Sequence, residues 1–132
     1  MYSYKLDEIK NINLLIKKGN IIFLNGDLRA GKTTLSKHII NDILQIEDDV
    51  RSPTYTYYNK YGENIYHFDL YRLKNYDEFF AIAGEEILDN PENICIIEWP
   101  DILRNYFIPD IEIKLEKVSE NERSIEIIYN NK

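Results

Sequence analysis

The sequence is poor in the residues that would commit it to several protein classes. Its 132 residues include one cysteine, Cys95, so no internal disulfide and no cysteine metal cluster can be built. Cys95 lies in the apolar run Ile94-Cys95-Ile96-Ile97, a setting for a buried, unreactive thiol. No apolar stretch approaches the roughly 20 residues a membrane helix needs. The opening residues, MYSYKLDEIK, carry charge where a signal peptide would place its apolar region. These absences point to a cytoplasmic protein with no membrane association. Basic clusters are missing too: Lys17-Lys18 is the only adjacent basic pair, and the net charge is −7. A phosphate backbone is repelled by that average field, so a role in RNA biology would run through protein partners.

What is present reads as one α/β domain over residues 1–132, with no linker or repeat dividing it. Leu6, Ile9, Ile12 and Ile16 recur at helical spacing before Gly19, which predicts an amphipathic helix over 5–18. Ile21-Ile22-Phe23-Leu24 is too short for a helix and reads as a buried strand. A second helix is expected from Lys32 to about Leu44, burying Leu35, Ile39, Ile43 and Leu44. An extended stretch over 54–59, a turn at Gly62 and a strand over 65–68 predict a hairpin. Residues 76–88 read as helix interrupted at Gly84, residues 94–97 as strand, and 102–107 as a helical turn or two. Ile111, Ile113 and Leu115, then Ile125 and Ile127, alternate with polar residues as an antiparallel C-terminal hairpin. The sum is a mixed, mostly parallel central sheet with that hairpin at its end.

Between the first predicted strand and the helix after it lies Gly26-Asp27-Leu28-Arg29-Ala30-Gly31-Lys32-Thr33, a complete G-x-x-x-x-G-K-[ST] sequence. Gly26 lets the chain turn off the strand, and Gly31 lets backbone approach phosphate. The loop N–H groups form an anion cradle. Lys32 is placed to reach the β- and γ-phosphates and Thr33 to offer its hydroxyl oxygen to Mg²⁺, with Thr34 following in the same segment. The pattern arises by chance in about one of several hundred chains this long, and here it falls in the one place where it works.

Three further motifs complete a resemblance. GDLRAGKTT, Ser-Pro-Thr over 52–54, His-Phe-Asp-Leu-Tyr-Arg over 67–72 and Glu-Trp-Pro over 98–100 resemble, in order and approximate spacing, the TsaE (YjeE) family. Members of that family are bacterial P-loop ATPases required for threonylcarbamoyladenosine on tRNA. The resemblance implies ATP and Mg²⁺ as ligands and the proteins TsaD and TsaB as partners, with tRNA contacted only indirectly. It makes Thr54 a switch-type threonine that contacts Mg²⁺ or orients a water. Asp69 and Glu98, each following a predicted strand, become catalytic acids. Glu98 joins Thr33 as a metal-side candidate, while the division between ligating metal and polarising water stays open. Trp99 and Arg72 become site or partner contacts, Arg72 bridging to phosphate or Asp69 or forming a surface ion pair. His67 is read as packing beneath the site and His38 as structural. The chain departs from the family where Arg29 replaces a glycine, and altered nucleotide affinity is the expected consequence.

Other nucleotide chemistries fit less well. A small-molecule kinase needs an arginine-bearing lid, and the five arginines include no such insertion. The guanine-reading N-K-x-D pattern fails at Gly62 in Asn59-Lys60-Tyr61-Gly62, and no D-x-x-G follows the loop. A nucleotide-sensing module without turnover remains the third alternative, against which both acids argue.

Overall fold

The computed structural model describes residues 2–27 and 30–130. Leu28 and Arg29, both expected in the nucleotide site, lie outside the described residues. The strands β1 (Tyr2–Lys5), β2 (Ile21–Asn25), β3 (Tyr58–Tyr61), β4 (Ile65–Asp69), β5 (Ile94–Glu98), β6 (Ile111–Lys117) and β7 (Glu122–Tyr129) form one sheet ordered β1-β7-β6-β2-β5-β4-β3. Its centre, β6-β2-β5-β4, is parallel, and antiparallel pairs flank it at both edges. β2 and β5 are buried almost throughout, which is why they read as continuous apolar runs rather than alternating ones.

Helices cover both faces. On one, Leu35, Ile39 and Ile40 pack with Ile22, Leu24, Ile96 and Ile113. These come from α1 (Lys32–His38) and the π-helical turn Ile39–Ile43 that prolongs it over the expected span. On the other, Phe79 of α2 (Tyr76–Ala81) and Leu88 of α3 (Gly84–Asp89) pack with Phe23, Phe68 and Ile97. The α2–α3 break falls where the sequence places it, for a steric reason. A Cβ on Gly84 would stand 2.4 Å from the Phe79 ring, so only glycine lets the two helices close. Cys95 is buried, and burial pushes its thiol up to about 12. Among the described residues no helix is long and apolar enough to cross a membrane.

Two expectations are corrected. The helix over 5–18 is instead the end of β1, a 3₁₀ helix over Leu6–Asn11 and an irregular extended segment. Tyr4 and Lys5 pair with Arg123 and Glu122 of β7. From Ile12 the burial alternates: Ile12 and Leu14 face inward while Leu15 is 79% exposed. Asparagine side chains take the backbone donors a helix would use, Asn13 accepting from Leu14 N–H and Asn20 from Lys17 N–H. The segment over 54–59 is likewise not extended throughout. It turns, with Tyr57 N–H donating to the Pro53 carbonyl at 2.8 Å and Tyr57 at φ 68°, and only then enters β3.

Candidate functional site

The phosphate loop leaves β2 at the carboxyl end of the parallel strands, where α/β proteins place their ligands. Gly26 adopts φ 156° with its α-carbon so close to Ala30 and the Leu115 carbonyl that a Cβ would meet both at 2.7 Å. Gly31, at φ 96°, caps the start of α1. The loop is braced from behind by Arg123 of β7, whose Nε donates to the Ala30 carbonyl at 3.1 Å.

Parallel pairing sets the acids. Asp69 and Glu98 are register partners at the ends of β4 and β5, and both are buried. Two-residue alternation puts His67 on the same face as Asp69. Glu98 accepts from Thr33 Oγ1 with both carboxylate oxygens at 3.3 Å, from Ser36 Oγ at 3.4 Å and from His67 Nε2 at 2.5 Å. Asp69 instead accepts from Ser52 Oγ and Thr54 Oγ1, each at 3.4 Å, and from the Tyr71 N–H at 3.0 Å. Ser52 and Thr54 are themselves bonded at 2.7 Å.

Lys32 is folded back on the loop. Its ammonium donates to the Gly26 carbonyl and to the Asp27 carbonyl, and it lies 3.6 Å from the centroid of the Trp99 ring. Burial pulls the Lys32 ammonium below its usual range, against the opposing pull of Glu98, Asp69, Asp27 and Asp101. Trp99 takes φ 57° directly before Pro100, a left-handed backbone that costs on the order of 1–3 kcal/mol. That turn swings the indole across the loop, where Tyr71 meets it edge-on at 4.8 Å.

A cavity of about 540 Å³ is lined by Gly31 to Thr34, Ser52, Thr54, Asp69, Glu98 and Trp99, together with Lys117, Glu120 and Arg123. A second cavity of about 840 Å³ adjoins it across Trp99 and Lys117 and reaches Asn25, Gly26, Asp27 and Tyr71. The donor set fits a hard cation: a threonine hydroxyl beside a carboxylate, which is how Mg²⁺ is held when phosphate supplies its other oxygens. Glu98 is 3% exposed, and no Lys or Arg forms an ion pair with it among the described residues. A buried carboxylate left with hydroxyl and imidazole partners is suited to receive a cation.

The structure therefore gathers Lys32, Thr33, Thr34, Thr54, Asp69, Glu98 and Trp99 in one cleft. Arg72 stands apart: its guanidinium lies 4.9 Å over the exposed Tyr55 ring rather than against Asp69. His38 bridges Asp42 and the Ile12 carbonyl, a structural tie. Two groups that support the site, Ser36 and Arg123, carry no role in the sequence reading, and a third, His67, has more than the packing role given to it. Ser36 shares a helix face with Thr33, His67 bonds Glu98 rather than merely packing, and Arg123 lies in phase with the inward Ile125. The phases of Ser36 and Arg123 were available signals, whereas the His67–Glu98 bond depends on strand pairing.

Known proteins resemble this chain in sequence and in fold. A model of the family described as threonylcarbamoyl adenosine biosynthesis protein TsaE matches residues 5–125. The tRNA threonylcarbamoyladenosine biosynthesis protein TsaE of Rickettsia felis is 38% identical over 120 residues, covering 88% of this chain and 69% of the relative. The protein of that name from Haemophilus influenzae is 38% identical, covering 89% and 75%. The crystal structure of YdiB from Bacillus subtilis superposes with a TM-score of 0.68 at 26% identity, covering 94% of this chain and 82% of that one. With its loop, paired acids and Glu-Trp-Pro turn assembled on one P-loop-type sheet, the chain belongs to the TsaE family.

Proposed function

We propose that this chain is a Mg²⁺-dependent ATPase that acts through a TsaB–TsaD complex in threonylcarbamoyl modification of the tRNA adenosine next to the anticodon. The observation that carries the ATPase reading is Thr33 Oγ1 standing 3.3 Å from both oxygens of the buried Glu98 carboxylate at the mouth of the phosphate loop. That pair would hold Mg²⁺, which when bound neutralises charge across the β- and γ-phosphate oxygens. Lys32 exchanges its carbonyl partners and the Trp99 face for phosphate oxygens, a better-matched anion for an ammonium that burial disfavours. Asp69, held by Thr54 and the Tyr71 N–H, orients the attacking water and accepts its proton. Thr54 and Ser52 couple that acid to the loop before β3, so closure of the loop would align it. The net charge of −7 suits indirect contact with tRNA through partners.

The test is phosphate release from Mg-ATP by the purified chain alone and with TsaB and TsaD from the same source, beside Lys32→Ala. Stimulation by the pair, lost in Lys32→Ala, is the expected result. Tight ATP binding with no release in either condition would replace the ATPase with a nucleotide-sensing module.

A further inference from the structure

We propose that His67 is a positioning residue whose imidazole fixes the Glu98 carboxylate in the orientation that receives a divalent cation. This rests on the site reading above. His67 is fully buried, and its Nε2 lies 2.5 Å from Glu98 Oε2, the shortest of the contacts that carboxylate makes. The Thr33 and Ser36 hydroxyls stand farther off, at 3.3 and 3.4 Å. They are also shared. Ser36 Oγ donates to the Lys32 carbonyl at 2.9 Å, and Thr33 Oγ1 is the oxygen offered to the cation. When Thr33 turns to that task, the imidazole is the contact that stays on Glu98.

The hydrogen positions follow from the partners. An ionised carboxylate only accepts, so the shared proton belongs to His67 Nε2. The other ring nitrogen, Nδ1, is the buried side-chain nitrogen with no hydrogen-bond partner among the described residues. An orphan of that kind is uncommon in a native interior and needs a reason. Packing does not supply one, because an apolar side chain of similar volume would fill the space with no unpaired atom. The bond that the other nitrogen makes does supply it. Groups that orient a metal-binding side chain typically change metal affinity or activity by about 10–100-fold when removed.

The experiment uses the full chain and compares ATP affinity by titration calorimetry in EDTA and in Mg²⁺, for wild type, His67→Met and His67→Gln. Met keeps the volume without a donor, and Gln returns an N–H at similar reach. The expected result is metal-free ATP affinity unchanged in both. The gain on adding Mg²⁺ shrinks by about 10–100-fold in Met and is largely restored in Gln. A folded Met variant with the wild-type gain would overturn the inference, as would a Gln variant that falls as far as Met. Should the variants not fold, ¹⁵N NMR of wild-type His67 decides: a proton on Nε2 supports it, and an Nε2 without one sinks it. If the wild-type chain itself gains nothing from Mg²⁺, the metal reading of the site fails along with this inference. A wild-type gain that His67→Met retains defeats the inference alone.

Discussion

Asp69 and Glu98 are side by side across one parallel pair, yet their surroundings differ in kind. Glu98 is held by Thr33 and Ser36 of α1 and by His67 of β4, all on regular elements packed into the core. Asp69 is held by Ser52 and Thr54 from a loop and by the N–H of Tyr71 in the turn after β4. A carboxylate fixed by helix and strand is pre-organised for a ligand of constant geometry, as a cation site requires. One fixed by loop hydroxyls can change its partners when the loop moves, as an acid acting only in the closed state requires. Under the proposed function, identical chemistry at neighbouring strand ends would be split into two tasks by what each acid leans on.

The largest effect that would break this division is expected at Glu98. Glu98→Gln should lower the rate of ATP hydrolysis by about 10²–10³-fold, since a cation that stabilises transferring phosphate contributes several kcal/mol. Its residual rate should lose its dependence on Mg²⁺ concentration. Next is Asp69→Asn, expected to lower kcat by about a hundredfold, within the range for a positioned proton acceptor, while the Mg²⁺ dependence of ATP binding stays as in wild type. Equal metal effects in the two variants would erase the distinction.

A control on the opposite face is smaller. Gly84→Ala forces a methyl into the Phe79 ring and should destabilise the fold by about 1–3 kcal/mol, read as a drop in Tm, with hydrolysis per folded molecule unchanged. A loss of hydrolysis without a loss of Tm would mean that α2 and α3 serve the site directly. Smallest is a spectroscopic change. ATP should draw Lys32 off the Trp99 face, 3.6 Å away, and alter the emission of this lone tryptophan. Lys32→Ala should show its altered emission already without nucleotide.

The same contrast explains what the sequence revealed. The strand, loop and helix over 21–38 were readable because every signal there is local and concordant: an apolar run, two glycines, then helical spacing. The C-terminal hairpin and the break at Gly84 were readable for the same reason. The N-terminal segment was misread because Leu6, Ile9, Ile12 and Ile16 satisfy a helical period. What decides their structure is β1 pairing with β7, at the far end of the chain. Within the site, Asp69 and Glu98 could be named from motifs but not told apart. Their difference arises from register and from residues brought in from 31 and 65 positions away, His67 and Thr33 on Glu98. Arg123 was hidden similarly, its link to the Ala30 carbonyl spanning 93 positions.

The most direct test of the division between the acids is equilibrium binding of ATP, with and without Mg²⁺, to wild type, Glu98→Gln and Asp69→Asn measured side by side. Mg²⁺ should strengthen binding to wild type and Asp69→Asn alike and do little for Glu98→Gln. If Asp69→Asn loses the Mg²⁺ effect while Glu98→Gln keeps it, the assignment of the cation to Glu98 is wrong.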